Sequence, residues 1–351
     1  TKQIICLVLA IAVLSPASAQ WWRPKCRALV LEGGGDKGAY QVGAIRGLVE
    51  SLDPDEVQYD VVSGISIGAI NAVGLSLFPL GKEDEGSQWL IDFWKKMSAD
   101  VVYANWPGYV VEGAFWRSGF YNNSRFLDFL HDNVEMSTVY RKVTVGATNA
   151  KTGALQRFNE SLPSDELMYK AVAASSAFPG FFQSVEFKNM TLIDGGVVMN
   201  LDIAGAIERC KEKAHRESDI IIDIVMCSGD VLQDVDVSQF NAVQMLRRYF
   251  QIADFQKTMV WITQGIANFP QVKFRYIVAP TGPISSEWIP IGFKPADIRT
   301  MIERGRSDAK ESTNLGEGTM MKHLTSFWKK SMTDPEHNET FEMYMNKVLK
   351  Q

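Results

Sequence analysis

This sequence of 351 residues carries little excess charge, few histidines and cysteines, and no long hydrophobic run. Its net charge of −5 argues against a nucleic-acid-binding protein that relies on a broad basic surface, so we expect no nucleic-acid partner. The four histidines are scattered and the four cysteines lack the spacing of zinc ligands, so no metal site is indicated. Beyond the N-terminus, no stretch reaches the roughly 18 uninterrupted apolar residues of a membrane-spanning helix.

The first 19 residues have the layout of a secretory signal peptide. Lys2 is followed by an apolar run over residues 4–14 and then by small residues that end at Ala19. The apolar run is too short to cross a bilayer of roughly 30 Å as a helix. We therefore predict a signal peptide over residues 1–19 and a chain that is secreted or held in the lumen of the secretory pathway. A buried N-terminal strand or helix is the alternative.

Two further features fit the secretory pathway. Sequons for N-glycosylation, which predict a glycoprotein, are present at Asn122, Asn159, Asn189 and Asn338. Beyond the N-terminal segment the cysteines are Cys26, Cys210 and Cys227. These three allow at most one internal disulfide and leave one thiol over.

Strand-like apolar runs alternate with segments of helical periodicity along the chain. The strand-like runs are 28–31, 59–63, 141–147, 191–193, 220–226 and 272–279. The helical patterns are 39–52, 67–77, 166–174 and 203–213. This alternation predicts an α/β fold with a largely parallel central sheet in one domain.

Two stretches are less regular. Residues 78–121 are rich in aromatic side chains, which fits either a packed subdomain or a lid or surface that meets lipid. From Gly316 onward the chain is charged and has helical spacing. We therefore predict a main domain over 26–315 and a peripheral C-terminal helical segment over 316–351.

A glycine cluster follows the first predicted strand and precedes the first predicted helix. Its sequence over residues 33–38 is Gly-Gly-Gly-Asp-Lys-Gly. Glycines let the backbone approach a ligand, and the helix N-terminus favours an anion, whether a phosphate or a developing oxyanion. The letters also fit the G-x-G-x-x-G dinucleotide motif. Asp53 and Asp55 have the right distance for its acidic residue, but they precede the next strand.

The motif Gly64-Ile65-Ser66-Ile67-Gly68 lies between a predicted strand and a predicted helix. This is the context of a nucleophile elbow, a tight turn that exposes a serine hydroxyl at the helix N-terminus. The N–H of Ile67 is then placed to help hold an oxyanion. The alternative is that Ser66 only caps the helix.

A third motif, Asp194-Gly195-Gly196, ends another predicted strand. It reads either as a simple turn or as a carboxylate at the same sheet edge as Ser66, where it can accept a proton. A Ser-His-Asp triad is the competing arrangement, and its order in α/β-hydrolases places the histidine last. His215, His323 and His337 follow Asp194 but none follows a convincing late strand, and His131 reads as a surface residue. We therefore favour a Ser-Asp dyad.

Together with the block Ala-Ser-Ser-Ala-Phe-Pro-Gly-Phe-Phe at residues 174–182, these three motifs resemble the patatin-like phospholipases. The resemblance covers about half of the chain and implies a three-layer α/β/α fold. Lys37 stands where arginine is the other frequent residue, and Asn200-Leu201-Asp202 replaces the frequent Asn-x-Pro.

The resemblance implies a calcium-independent lipid acyl hydrolase of the phospholipase A or lysophospholipase type. Ser66 is then the nucleophile, Asp194 the base, and Gly33, Gly34 and Gly35 the oxyanion loop. The implied substrate is a phospholipid or another acyl lipid, met in peripheral contact with a membrane, and no cofactor or obligate protein partner is implied. The alternative is a catalytically idle storage or lipid-binding protein on the same scaffold.

Overall fold

The computed structural model describes residues 24–133, 138–163, 166–282, 284 and 291–332. The predicted signal peptide and the sequon at Asn338 therefore lie outside the described residues, as does the end of the predicted C-terminal segment. None of the helices within these ranges is long and apolar enough to cross a membrane.

Strands and helices alternate along the described chain. The strands are β1 (Cys26–Leu31), β2 (Val61–Ile65), β3 (Lys142–Asn149), β4 (Leu155–Asn159), β5 (Val185–Phe187), β6 (Met190–Asp194), β7 (Ile220–Val225) and β8 (Lys273–Val278). The first helices are α1 (Gly38–Ser51), α2 (Ile67–Ser76), α3 (Glu83–Lys95), α4 (Ala99–Val102), α5 (Tyr109–Trp116) and α6 (Ser124–Asn133). The later ones are α7 (Ala173–Ser175), which continues a π-helical segment (Glu166–Val172), α8 (Ile203–Cys210), α9 (Ala242–Asn268), α10 (Pro295–Leu315) and α11 (Thr319–Met332).

One mixed sheet organises the fold. Its strands run in the order β5-β6-β3-β2-β1-β7-β8, with β4 also paired to β3. The five strands from β3 to β8 along this order are mutually parallel, whereas β4, β5 and β6 form antiparallel pairs at one side. The parallel strands place their carboxyl ends along one edge, where open α/β sheets bind ligands.

Helices cover both faces of this sheet. In β1, Leu29 and Leu31 point into one core with α1, α2 and α10, whereas Ala28 and Val30 point into a second core with α8, α9 and α11. Burial on both faces explains why the central strands are almost continuously apolar. The predicted three-layer α/β/α fold with a largely parallel sheet is confirmed.

The less regular stretches divide between core and surface. Helix α3 buries Phe93 and Trp94, so part of residues 78–121 is packed, whereas α5 leaves Phe115 and Trp116 exposed. Helix α11 lies within the predicted C-terminal segment. It buries Leu324 and Trp328 in the second core, so it closes that face of the sheet.

A disulfide joins Cys26 at the start of β1 to Cys210 at the end of α8. It ties the central strand to the helix that covers it and closes a long loop of chain. A native bridge of this kind typically stabilises a fold by about 2–4 kcal/mol. Cys227 is the remaining free cysteine of the described residues and is buried.

Candidate active site

Ser66 occupies a strained turn between β2 and α2. Its backbone has φ 55° and ψ −125°, a region that a residue with a side chain rarely adopts. The turn is tight enough to require glycine on both sides. A methyl group on Gly64 would lie 2.1 Å from the carbonyl oxygen of Gly68, and one on Gly68 would lie 2.5 Å from that of Leu31. This is the geometry predicted from the motif, with the hydroxyl at the N-terminus of α2.

The structure brings the side chains of Ser66 and Asp194 into contact. The Ser66 Oγ donates a hydrogen bond to Asp194 Oδ2 at 2.6 Å, and the Gly196 N–H donates to Asp194 Oδ1 at 2.7 Å. Asp194 is only 4% exposed. Burial raises the pKa of its carboxyl from 3.8 to about 6, although both hydrogen bonds oppose the rise. A carboxyl with this pKa is ionised at neutral pH yet is a better base than an exposed aspartate.

Asp194 reaches Ser66 on an antiparallel strand. Asp194 pairs with Ala147 of β3, and the preceding residue of β3, Gly146, pairs with Ile65 of β2. Asp194 is therefore level with the carboxyl end of β2, as predicted. However, β6 runs in the opposite direction to the strand that carries Ser66.

A second serine holds the turn in place. The Ser66 N–H donates to Ser175 Oγ at 2.8 Å, and Ser175 Oγ donates to the Gly146 carbonyl at 2.6 Å. Ser175 is fully buried. It belongs to the fourth sequence block, and the sequence assigned it no role. An adjacent pair of serines beside an alanine-rich helix was its only signal.

The glycine loop touches the serine turn. A methyl group on Gly33 would lie 3.1 Å from Ser66 Cβ, and Gly35 has a φ of 60°. Of the three glycines predicted to form the oxyanion loop, Gly33 already uses its N–H, which donates to the Asn200 carbonyl at 3.1 Å. Gly34, Gly35 and Ile67 remain the candidate oxyanion donors. Among the described residues, no acceptor is found for their N–H groups.

The other motif residues lie around this centre. Lys37 is half-buried in the 3₁₀ turn before α1, and Gly38 begins that helix, so a cation lies beside the glycine loop. A methyl group on Gly38 would lie 2.4 Å from the Ile67 side chain. Gly195 and Gly196 form the turn after β6, where a methyl group on Gly195 would lie 2.3 Å from the Gly146 carbonyl.

Glu32 is a buried hub that the sequence did not identify. Its carboxylate accepts from the N–H groups of Cys227 at 2.6 Å and Ser228 at 2.8 Å, and from the hydroxyls of Ser228 and Thr258. Because Cys227 follows β7 and Thr258 lies on α9, Glu32 fixes the start of the glycine loop to both elements. A buried carboxylate is tolerated only with such partners. An ionisable residue at the end of a buried strand was the available signal.

Asn200 links the loop after Asp194 to the glycine loop. Its Nδ2 donates to the Gly33 carbonyl at 3.1 Å, in addition to the bond that its own carbonyl accepts. Asp202 caps α8 by accepting from the Gly205 N–H at 2.9 Å. The loop after Asp194 is therefore held at both ends, although Asn200-Leu201-Asp202 replaces the frequent Asn-x-Pro.

The competing arrangements find little support around Ser66. His131, His215 and His323 are exposed, His337 lies outside the described residues, and the described partners of the Asp194 side chain are Ser66 and Gly196. Burial raises the pKa of the Cys227 thiol, so that group is not a thiolate at neutral pH. Because β2 ends in Gly64 and Ile65, the position of a ribose-binding carboxylate in a dinucleotide fold is apolar here.

Comparison with known proteins supplies independent information. A family profile described as Patatin-like phospholipase matches residues 29–207, which include all four motif blocks. Calcium-independent phospholipase A2-gamma of Rattus norvegicus is 28% identical over 213 residues, covering 53% of this chain and 26% of that protein. The Homo sapiens protein of the same name gives the same identity and coverage. Probable lipid hydrolase 463L of Invertebrate iridescent virus 6 is 24% identical over 223 residues, covering 60% of this chain and 73% of that protein. The match therefore spans about a quarter of the length of the mammalian relatives.

We predict that Ser175→Ala destabilises the protein by about 1–3 kcal/mol, because it removes the acceptor of the Ser66 N–H and a buried donor to the Gly146 carbonyl. Ser176→Ala is the matched control, since the Ser176 hydroxyl is buried with no hydrogen-bond partner among the described residues. Denaturant unfolding measures both changes. Equal effects of the two substitutions would contradict the role given to Ser175.

Proposed function

The chain belongs to the patatin-like phospholipase family, and from that premise we propose that it hydrolyses fatty-acyl esters of lipids through a dyad of Ser66 and Asp194. The observation that carries the proposal is the 2.6 Å hydrogen bond from Ser66 Oγ to a buried carboxylate whose pKa is raised to about 6. The strained turn and the adjacent glycine loop support it, because both surround the same hydroxyl.

In the first half of the proposed reaction, Ser66 Oγ attacks the ester carbonyl carbon while Asp194 Oδ2 accepts the hydroxyl proton. The carbonyl oxygen becomes an oxyanion, which the N–H groups of Gly34, Gly35 and Ile67 stabilise. When the intermediate collapses, the bond to the alcohol oxygen breaks. Asp194 returns the proton to that oxygen, and the acyl group stays on Ser66.

In the second half, water takes the place of the departed alcohol. Asp194 accepts a proton from the water as its oxygen attacks the acyl carbon, and the same N–H groups hold the second oxyanion. Collapse breaks the bond to Ser66 Oγ, which recovers its proton from Asp194. The products are a fatty acid and the free enzyme.

The surroundings of Asp194 support an apolar acyl chain as the bound group. The Asp194 N–H donates to the Ala177 carbonyl, and the next residue, Phe178, is 39% exposed and stacks on Phe181. Val197, in the turn after Asp194, is 47% exposed. Exposed apolar side chains in the two segments next to this proton acceptor fit a lipid ester. The similarity to calcium-independent phospholipase A2-gamma favours a phospholipase A or lysophospholipase type that works without calcium.

We also propose that the protein passes through the secretory pathway. The pattern of residues 1–19 and the disulfide support this, because such bridges persist in oxidising compartments. The amides of Asn122 and Asn159 accept local backbone hydrogen bonds and these residues are half-buried, whereas Asn189 is exposed in the turn between β5 and β6.

In a glycosylating host, we expect a mature chain that begins near residue 20 and carries a glycan at Asn189. N-glycosidase treatment followed by mass spectrometry tests this, and Asn189→Gln is the variant to compare with Asn122→Gln. A chain that keeps residues 1–19 and carries no glycan would refute the secretory proposal.

Ser66→Ala is expected to abolish labelling by a fluorophosphonate probe and hydrolysis of a lipid ester. Asp194→Asn should lower turnover about 10²–10⁴-fold, because the proton acceptor is lost. Ser176→Ala, which changes a hydroxyl outside the dyad, should keep both activities, and a chelator should change neither.

Product identification by mass spectrometry on a lipid panel shows which acyl ester is cut. Normal turnover in Ser66→Ala would overturn the dyad. Failure of the unaltered chain to react with the probe would favour the idle lipid-binding protein instead.

Turnover should rise with pH through about 6, because only the ionised Asp194 carboxylate accepts the Ser66 proton. Burial also raises the pKa of the Asp36 carboxyl, in the glycine loop, to about 6. A pH–rate profile of Asp36→Asn separates the two groups, since the rise should persist in that variant. Loss of the rise in Asp36→Asn would transfer the titration to Asp36.

A further inference from the structure

The two halves of helix α9 differ in burial. Its C-terminal half buries Phe255, Met259 and Ile262 in the second core, but residues 242–253 include no buried side chain. Thr258 contacts Glu32 at the carboxyl end of β1. Because α9 precedes the parallel strand β8, its N-terminus points outward past the carboxyl edge. At 1.5 Å per residue, residues 242–257 form about 24 Å of helix N-terminal to Thr258.

The exposed half of α9 presents its apolar face away from the domain. The face that packs on the sheet, with Phe255, Thr258 and Ile262, continues at helical spacing into Gln244 and Gln251. The apolar side chains therefore occupy the opposite face. We call this set the α9 stripe: Val243 (60% exposed), Met245 (46%), Leu246 (45%), Tyr249 (60%), Phe250 (50%) and Ile252 (39%).

Positive charge borders the α9 stripe on both sides. At 100° per residue, Arg247 and Arg248 fall at the two edges of the apolar arc, and residues 242–253 include no acidic side chain. Arg248 Nη2 also donates to the Gln233 carbonyl at 2.7 Å, which leaves its other N–H groups for a lipid phosphate. A helix with a broad apolar face flanked by arginines matches the chemistry of an anionic bilayer, whose acyl region takes the apolar side chains and whose phosphates attract the cations.

We propose that the α9 stripe is a docking surface for an anionic phospholipid bilayer and that it holds the carboxyl edge of the sheet, with Ser66, against the lipid. The use of this surface to deliver substrate rests on the proposed function. Arg247 and Arg248 interact with lipid phosphates while Leu246, Tyr249 and Phe250 enter the interfacial region.

A second exposed helix favours a bilayer, rather than a compact protein, as the partner of the α9 stripe. In α5, Tyr109, Phe115 and Trp116 are 67%, 76% and 73% exposed. The chain after α5 pairs at Gly119 with Gly180, in the block that also carries Ser175. Helix α9 is tied through Glu32 to the glycine loop on the opposite side of the serine turn. Two separate apolar surfaces near one sheet edge suit an extended lipid plane.

Vesicle sedimentation tests the proposal, with Ser66→Ala as the parent so that lipid is not consumed. The test variant adds Leu246→Gln, Tyr249→Gln and Phe250→Gln, and a charge variant adds Arg247→Gln and Arg248→Gln. The matched control adds Leu80→Gln and Leu315→Gln, which remove exposed leucines (44% and 51%) after α2 and at the end of α10, away from the carboxyl edge. The vesicles are phosphatidylcholine with or without phosphatidylglycerol.

The stripe variant should bind anionic vesicles at least tenfold more weakly than the parent, and the charge variant should lose the preference for phosphatidylglycerol. The control should bind as the parent does. Unchanged vesicle binding by the stripe variant, with an unchanged unfolding midpoint, would overturn the proposal. A second result would also overturn it: a parent protein that is a dimer, binds no vesicles and becomes a monomer with the stripe substitutions. The α9 stripe would then contact a second copy of the chain.

The same substitutions in the chain with Ser66 intact separate docking from catalysis. Hydrolysis of a water-soluble short-chain ester should be unchanged in the stripe variant, while hydrolysis of vesicle phospholipid should fall at least tenfold. A parallel loss on both substrates would contradict docking. Stripe-dependent vesicle binding by a chain that hydrolyses neither substrate would support docking while refuting the proposed function.

Discussion

The hydrogen bond between Ser66 and Asp194 joins two groups that are each held at an energetic cost. The positive φ of Ser66 costs on the order of 1–3 kcal/mol. The rise in the pKa of Asp194 from 3.8 to about 6 corresponds to about 3 kcal/mol against its ionised form at neutral pH. Because the folded pKa is raised, this carboxyl favours folding when protonated and loses that contribution as pH rises towards 6. The protonation state that the proposed chemistry requires is thus the one that weakens the fold.

The contacts around the dyad oppose these costs. Ser175 satisfies the backbone of the strained residue and connects it to β3, while the Gly196 N–H holds the second carboxylate oxygen. Glu32 does the same for the glycine loop, through donors from β7 and α9. Helix α9 therefore has two consequences for one site: its buried half fixes the loop beside Ser66, and its exposed half extends beyond the same edge. The bilayer contact proposed for the exposed half would act on the glycine loop through Thr258 and Glu32.

The sequence predicted the strands and helices that are buried in the same way along their whole length. It missed those whose burial changes from one end to the other or that are very short. Strands buried on both faces read as apolar runs, so β1 and β7 were predicted close to their observed bounds. Helix α9 was missed because its apolar face lies on opposite sides in its two halves, which breaks a single periodic pattern. The short edge strands β4 and β5 carry too few residues for a clear alternation. Ser66 and Asp194 were both predicted from sequence motifs and the order of those motifs along the chain. Glu32 and Ser175 were not, because their hydrogen-bond partners are distant in sequence and come together only in the folded chain.

The position of Asp194 shows that a sequence motif does not determine the direction or register of the strand that carries it. A carboxylate at a strand end suggests a parallel strand, but β6 is antiparallel, and only its register with β3 brings Asp194 level with Ser66. Successive side chains of a strand point to opposite faces, so a slip of one residue would turn Asp194 away from the hydroxyl. The Asp194 N–H bond to Ala177 and the Ala150 N–H bond to Thr191 fix that register from both ends of β6. The pairing of β6 with β3 is therefore as much a requirement of the dyad as the two side chains themselves.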